Sequence, residues 1–139
     1  MAYKPSEAIT WPFSLILLLV LSVVLACGCA MSVRSTPTEF VPDSRTGFDS
    51  ELRMRRDVEI RLDTGYRRVI SAGTRWKRVG RVSEGEVLKP VGTVFSIEGR
   101  HVHEAYLVIE DGLLRGFYLP AERAYSPLSS PIQLSGAIR

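Results

Sequence analysis

The sequence predicts a small, mainly β domain, an antiparallel barrel or sandwich, that follows an N-terminal hydrophobic segment. Three observations predict this fold class. Residues 57–63 (DVEIRLD) alternate apolar and polar side chains, the period of a half-buried strand. Residues 101–110 and 113–119 flank Asp111-Gly112, a dipeptide that tolerates the positive φ angles of a type I′ hairpin turn. After the hydrophobic segment no long stretch has a 3.6-residue apolar period, so we expect little helix.

The hydrophobic segment fits two interpretations by its length. Lys4 and other polar residues precede it, and the sixteen residues from Trp11 to Ala26 carry no charge. The apolar core of a secretory signal has roughly 7–15 residues, whereas a membrane-spanning helix needs roughly 20. The run lies between these lengths, so its length alone does not distinguish a secretory signal from a membrane-spanning helix.

Two cysteines follow the apolar run. Val24-Leu25-Ala26-Cys27 resembles the end of a bacterial lipoprotein signal, in which the thiol is acylated and the chain is cut just before the cysteine. Leu25 is bulkier than usual at its place. Ala26-Cys27-Gly28-Cys29 resembles the same motif, with the preferred Gly before Cys but a weaker Ala outside it. We take Cys27 as the lipid attachment site and Cys29 as the alternative. The other interpretation is a plain N-terminal membrane helix with two buried cysteines.

The lipoprotein resemblance implies a location and a tether. Fatty acyl chains, palmitate among them, would hold the protein on a membrane, because each buried methylene contributes about 0.8 kcal/mol. Neither cysteine is followed by Asp. By the enterobacterial sorting rule, this implies an outer-membrane lipoprotein of the bacterial cell envelope that faces the periplasm.

The chain divides into three parts. Residues 1–26 are the predicted signal peptide, and residues 27–50, rich in Ser, Thr, Pro and Asp, are a predicted flexible linker or extended arm. Within it, Phe40, Val41 and Phe48 are expected to pack on the domain, and binding to a partner is the alternative. Residues 51–139 form the predicted small β-domain with an irregular C-terminal tail.

The expected strands follow one another with Gly-containing turns between most of them: 57–63, 66–70, 74–82, 86–91, 92–97, 101–110, 113–119 and a last short one at 132–134. Gly80 predicts a bulge or bend within its strand, and alternation puts Trp76 and Val82 on one face with Val79 on the other. Pro90 places its strand at an edge or ends it. The 101–119 hairpin is apolar on both faces, so we expect it to be central.

One further resemblance concerns the fold. Gly-Thr-Arg-Trp at 73–76 and Val-Gly-Arg-Val at 79–82, placed before a long hairpin, are similar to the pattern of bacterial SH3-type barrels. The similarity covers about half of the domain. It implies an SH3-like arrangement of the strands.

Composition narrows the chemistry of the domain. Both cysteines lie beside the hydrophobic segment, so the domain has no internal disulfide, cysteine-based zinc site or thiol nucleophile. The net charge is +3, and Lys77 and Lys89 are the only lysines after the segment. Arginine forks suit phosphate and carboxylate groups, so an anionic neighbour is one interpretation and an arginine-rich solvated surface is the other. We expect no nucleic-acid partner.

The candidate sites are few. Trp76, Arg78 and Arg81 are the candidate contacts for a ligand or partner. His101 and His103 lie two apart on one strand and face the same way, but a metal needs a further ligand such as Glu98. We expect surface histidines, no metal and no cofactor. No G-x-S-x-G, H-E-x-x-H or phosphate-binding glycine loop is present, so we expect no enzyme.

These observations lead to two functional hypotheses. The first is a non-enzymatic interaction or scaffolding module of an envelope assembly of the secretion, pilus or conjugation type, which requires an exposed strand edge or aromatic patch. The alternative is a periplasmic ligand-binding lipoprotein for cell-wall glycan, lipid or a small molecule. It requires a concave pocket with a few converging polar groups.

Overall fold

The computed structural model describes residues 31–44 and 51–138. The predicted signal peptide, both cysteines and Phe48 lie outside these residues. The described part of the chain is mainly β and contains no helix, so no helix there is long and apolar enough to cross a membrane. Its strands are β1 Thr36–Pro37, β2 Val41–Pro42, β3 Glu51–Arg53, β4 Val58–Arg61, β5 Arg67–Ile70, β6 Arg75–Val82, β7 Gly85–Pro90, β8 Ser96–Glu98, β9 Val102–Glu104, β10 Tyr106–Glu110, β11 Leu113–Leu119 and β12 Ala124–Gln133.

One curled antiparallel sheet, a half-barrel, forms the body of the domain. Its strands run in the order β1-β12-β11-β10-β7-β6-β2, and β3 also pairs with β6. Strands β6, β7, β10, β11 and β12 pair with their sequence neighbours, apart from the β8–β9 hairpin inserted after β7. The β4–β5 and β8–β9 hairpins are separate two-stranded sheets.

The central hairpin has the predicted turn. Asp111 and Gly112 have φ angles of 52° and 74°, which is the left-handed conformation that a type I′ turn needs at both positions. Leu107 and Val108 point to opposite sides of β10 and are both fully buried. The expectation of a central, doubly buried hairpin is therefore confirmed.

Gly80 lies at the predicted bulge, and the bulge overturns the predicted faces of β6. The pairing of β6 with β7 shifts between Arg78 and Gly80. Because the shift inserts one residue, the alternation of side chains reverses beyond it. Trp76 therefore packs in one hydrophobic cluster, whereas Val82 joins Val79 in the other.

The sheet supports two hydrophobic clusters. The larger contains Trp76, Phe117 and Leu107 and is covered by the inner faces of the two separate hairpins, including Ile60 and Ile97. The smaller is built from Val82, Val87, Val108, Tyr118 and Tyr125, with Phe40 packed against it. The aromatic strand residues are thus largely core.

Residues 31–44 form an extended arm that the sheet holds at both ends. Its β1 pairs with β12 and its β2 with β6, the strands at opposite ends of the meander, and only Thr38, Glu39 and Phe40 separate the two. The Phe40 ring stacks on Tyr118 with centroids 5.1 Å apart. The predicted linker is therefore, in its described part, a component of the sheet, and Phe40 packs as expected.

Three strand predictions were wrong in extent. The strand expected over 92–97 is only β8, Ser96–Glu98. The strand expected over 101–110 is two strands that divide at Ala105, whose N–H donates to the carbonyl of Phe95. The tail expected to be irregular contains β12, the longest strand. Its prolines are tolerated because β1 covers the outer side of β12 only at Ala124 and Tyr125, so Pro127 and Pro131 lie where that edge has no strand partner among the described residues.

Candidate functional site

The predicted contact residues do not form one site. Trp76 is 1% exposed, donates its indole N–H to the Thr74 hydroxyl at 3.1 Å and packs edge-on against Phe95. A buried and hydrogen-bonded indole is a core residue, unable to reach a ligand without opening the domain. Arg81, by contrast, is exposed on β6 opposite Val41. The structure therefore separates these two residues.

Arg78 binds the arm to the sheet. Its Nε lies 3.2 Å from a carboxylate oxygen of Asp43, and its Nη1 lies 2.7 Å from Glu86. Asp43 follows β2, and its N–H donates to the carbonyl of Val79. Arg78 therefore stabilises the contact between the arm and the sheet, and two carboxylates already pair with its guanidinium.

The two histidines lie near each other but do not gather a metal-ligand set. Their ring centroids are 6.5 Å apart, and His103 Nδ1 lies 2.5 Å from Glu122 Oε1. Within residues 31–44 and 51–138, no group of three His, Cys, Asp or Glu side chains could hold a metal ion. The His103–Glu122 contact connects β9 to the turn after β11.

A cleft of about 510 Å³ lies between β4 and β12. Glu59, Arg61 and Asp63 line one wall, and Ser129 and Ser130 line the other. Leu62, Gly65 and Ile132 complete the lining. The cleft thus combines one guanidinium, two carboxylates and two hydroxyls with aliphatic side chains.

Both walls of the cleft are strand edges that lack a strand partner in the described chain. On β4, the Leu62 N–H donates to the Tyr66 carbonyl, which fixes the hydrogen-bonded pairs of the β4–β5 ladder. By the alternation of an antiparallel ladder, the main-chain groups of Glu59 and Arg61 then point away from β5. They form the edge of β4 that has no strand partner in the described residues, and Glu59 and Arg61 both line the cleft.

The second wall bulges out of the sheet. Leu114 pairs with Ile132 and Gly116 pairs with Pro127, so β12 takes five residue steps where β11 takes two. Three extra residues of β12 therefore lie outside the regular ladder. Ser129 and Ser130 are exposed within this excursion. Opposite it, the Nε atom of Arg115 is buried and has no hydrogen-bond partner in the described part of the protein.

The basic surplus of the chain lies in the segment that contains β4. Residues 51–77 hold eight Arg and Lys against four Asp and Glu, whereas residues 78–139 hold seven of each. Arg61 and Arg67 are directly opposite in the β4–β5 register and both exposed, an arrangement that repels unless an anion compensates. Glu59, 3.7 Å from Arg67, supplies part of that compensation.

Two tyrosines of the smaller cluster have raised pKa values. Burial, reinforced by Glu84, raises the pKa of Tyr125 above its usual 10.0. Burial, reinforced by Glu104, also raises the pKa of Tyr106. The Tyr125 hydroxyl donates to the Arg115 carbonyl at 2.9 Å. These hydroxyls stay protonated at neutral pH and serve as hydrogen-bond donors, which suits packing.

Sequence reasoning missed the cleft residues. The alternation of residues 57–63 predicts only that Arg61 lies on the polar face of a strand. Ser129 and Ser130 lie in the tail that is predicted to be irregular. The available signal was Pro127-Leu128-Ser129-Ser130-Pro131, because two prolines four residues apart interrupt a ladder and mark a bulge at an edge. No family model, curated protein or solved structure matches the chain.

Proposed function

We propose that the protein is a lipid-anchored envelope lipoprotein that acts as a non-enzymatic interaction module and accepts an extended strand of a partner protein. The observation that carries this proposal is the cleft between β4 and β12, whose two walls are strand edges without a strand partner in the described residues. An added strand gains main-chain hydrogen bonds from such edges, and side-chain pockets give specificity.

The anchor part of the proposal follows from the sequence. Acylation at Cys27, or at Cys29, would place the domain on the envelope membrane, with the outer membrane as the implied location. Mass spectrometry of the mature N-terminus tests it directly. We expect a diacylated cysteine as the first residue, lost in Cys27→Ser and retained in Cys29→Ser. A chain that begins at Met1 with free thiols would overturn the anchor.

Two substitutions at one position test strand addition. Arg61→Pro removes an N–H that points away from β5, so the β4–β5 ladder keeps its bonds but the cleft loses a donor. Arg61→Ala keeps the N–H and removes the guanidinium. A photo-reactive side chain at Ser130 in intact cells should capture a discrete partner in the parent and in the alanine variant. The proline variant should not capture it.

The same pair of variants identifies the alternative function. A cleft of about 510 Å³ lies within the usual size range of ligand sites, and its guanidinium, carboxylates and hydroxyls suit a polyhydroxylated cell-wall glycan. If the protein binds such a glycan, Arg61→Ala abolishes the calorimetric binding signal of a soluble cell-wall fragment. Loss of partner capture in Arg61→Ala would likewise contradict strand addition through the main chain.

We further infer that the half-barrel is of the SH3-like class. Support comes from the five-strand antiparallel meander and its bulges. In a closed barrel the first and last strands pair. Here the arm would take that role, because β1 extends one end of the meander and β2 the other. An experimental structure with β6 paired directly to β12 would contradict this assignment of the arm.

A further inference from the structure

The start of the arm lies between two hairpin turns. A Cβ atom built on Gly99 would lie 2.8 Å from both the backbone N and the Cγ2 of Val33, so the β8–β9 turn packs on the arm. The next residue, Arg34, lies 3.7 Å from Asp63 in the β4–β5 turn. We call the surface formed by residues 31–34, 63–66 and 99–102 the anchor end.

The arm then runs the length of the domain. At Thr38 it reaches two other turns, where the Thr38 N–H donates to the Arg123 carbonyl at 3.1 Å and its hydroxyl donates to Glu84 at 3.4 Å. The seven residue steps from Met31 to Thr38 span at most roughly 23 Å. The turn that contains Glu84, which we call the far end, lies at the opposite end of β7 from β8. The turn that contains Arg123 lies nearer the anchor end, because its Glu122 contacts His103 of β9.

The sequence leaves little chain between the proposed acylated cysteine and the anchor end. Met31 follows Cys27 by four residues and Cys29 by two. Fully extended, these lengths reach only about 14 Å and 7 Å. If either cysteine carries the lipid, as the proposed function holds, the anchor end has to remain beside the bilayer.

The anchor end presents side chains that suit a bilayer surface. Met31 is 62% exposed and Val102 is 66% exposed, two of the most exposed large apolar residues of the described chain. Arg100 and His101 lie next to Val102 in the turn and are exposed. Exposed apolar side chains near an arginine guanidinium are typical of segments that lie in the headgroup region.

The charges of this surface are nearly balanced. Glu98 is exposed and directly opposite Val102 in the β8–β9 register, and Asp63 compensates Arg34. A carboxylate so close to the turn is repelled by anionic headgroups. The contact should therefore depend on the apolar side chains and change little with the fraction of anionic lipid.

From these observations we infer that the β8–β9 turn, with Met31 and Val102 as its apolar contacts, rests on the phospholipid bilayer that holds the anchor. The far end then points away from that membrane. This inference rests on the proposed acylation, but it adds an orientation that a lipid anchor alone does not impose. It also brings the Asp63 side of the cleft near the membrane surface.

Tryptophan quenching in the acylated full-length protein tests the orientation. Val102→Trp places an indole at the turn, and Val41→Trp is the matched control, because Val41 is 53% exposed and pairs with Arg81, three residues before Glu84 of the far end. Trp76 is buried and contributes the same background to both variants. The proteins are reconstituted in vesicles of phosphatidylethanolamine and phosphatidylglycerol that contain lipids brominated near the glycerol, and only the floated fraction is measured.

We expect bromine quenching at position 102 to exceed that at position 41 roughly threefold, because interfacial contacts reach about 5–10 Å into the headgroup region. We also expect a blue-shifted emission at position 102 only, and the same result in vesicles of phosphatidylethanolamine and phosphatidylcholine. Equal quenching in floated protein, or stronger quenching at position 41, overturns the orientation and leaves the anchor intact. Protein that does not float overturns the anchor itself. Unchanged thermal melting shows that both variants keep the fold.

Discussion

Replacing Phe40 with Ala should loosen the arm while leaving the larger hydrophobic cluster intact. The ring of Phe40 stacks on Tyr118 at an interplanar angle of 19° and covers Gly80 of β6. It is the only aromatic ring within the described part of the arm. Its truncation removes the main apolar contact between the arm and the smaller cluster.

The expected loss can be worked out from these contacts. An aromatic pair of this geometry contributes about 1 kcal/mol beyond burial. The ring is partly buried, so its transfer from water contributes about 1 kcal/mol more, roughly half of the value for full burial. The free energy of unfolding should therefore fall by about 2 kcal/mol. In a domain of this size, this corresponds to a melting temperature lower by about 10 °C.

Urea denaturation and limited trypsin digestion measure the two consequences. Cleavage after Arg34 should accelerate more than tenfold in Phe40→Ala, because about 2 kcal/mol corresponds to roughly a 30-fold change in the open population. Val41→Ala is the control, since Val41 also lies on the arm but is 53% exposed. A loss below about 0.5 kcal/mol with unchanged cleavage would refute the view that Phe40 holds the arm.

A double-mutant cycle with Gly80 isolates the same contact. A Cβ atom at Gly80 would lie closest to the main-chain oxygen of Val41 and 2.7 Å from the Phe40 ring, so Gly80→Ala should displace both and cost about 1–3 kcal/mol. Phe40→Ala relieves only the contact with the ring. In the Phe40→Ala background the added methyl no longer meets the ring. We therefore expect the two losses to sum to about 1 kcal/mol more than the double variant shows. Strict additivity would mean that the ring does not lie on Gly80 in solution.

Three further predictions concern other contacts. Because burial raises the pKa of Tyr125, its contribution to stability is fully present below pH 10 and is lost as the pH rises through the raised pKa; Tyr125→Phe should flatten this alkaline loss in denaturation curves taken across that range. Gly112→Ala should lower the free energy of unfolding by about 1–2 kcal/mol, since φ is 74° there, and a melting curve identical to the parent would contradict the type I′ turn. Arg78→Ala should cost only about 0.5 kcal/mol at low salt, because its side chain is 38% exposed, and the difference from the parent should disappear in high salt.

The sequence predicts those elements whose determinants are local. Asp111-Gly112 specifies its own turn, and the alternation of Val58, Ile60 and Leu62 specifies which face of β4 is buried. Gly80 indicates a bulge for the same reason, since a glycine inside a strand lacks the side chain that would pack there. These features require only a residue and its neighbours in the chain.

What the sequence does not predict depends on contacts between distant segments. The face of Val82 reverses because a bulge shifts the register, and only the paired strands determine where the extra residue is accommodated. The serines and prolines at 126–131 are typical of a loop in sequence, and the segment belongs to a strand only because β11 pairs with Ser126 and Pro127. The cleft lies between β4 and β12, which are about 70 residues apart in the chain, so no local sequence pattern predicts it. The surroundings of Trp76 and Arg78 are not predicted for a similar reason, because Phe95 precedes β8 and Asp43 belongs to the arm.

Two glycines explain why the smaller cluster needs the arm. Gly80 and Gly116 each leave a bare patch on the sheet, and an aromatic ring covers each of them: Phe40 lies on Gly80, and Tyr125 lies on Gly116. Tyr125 comes from the neighbouring strand, but Phe40 comes from the chain that leads to the proposed lipid. If either cysteine carries the proposed lipid, the packing of this ring limits the distance between the domain and the membrane.

With the arm docked, the domain begins at Met31, about 14 Å from Cys27 at most; with the arm released, it would begin at Glu51, and the 24 residue steps from Cys27 to Glu51 could extend to about 80 Å. On the proposed anchoring, Phe40 is therefore the residue whose packing would limit how far the cleft can lie from the bilayer.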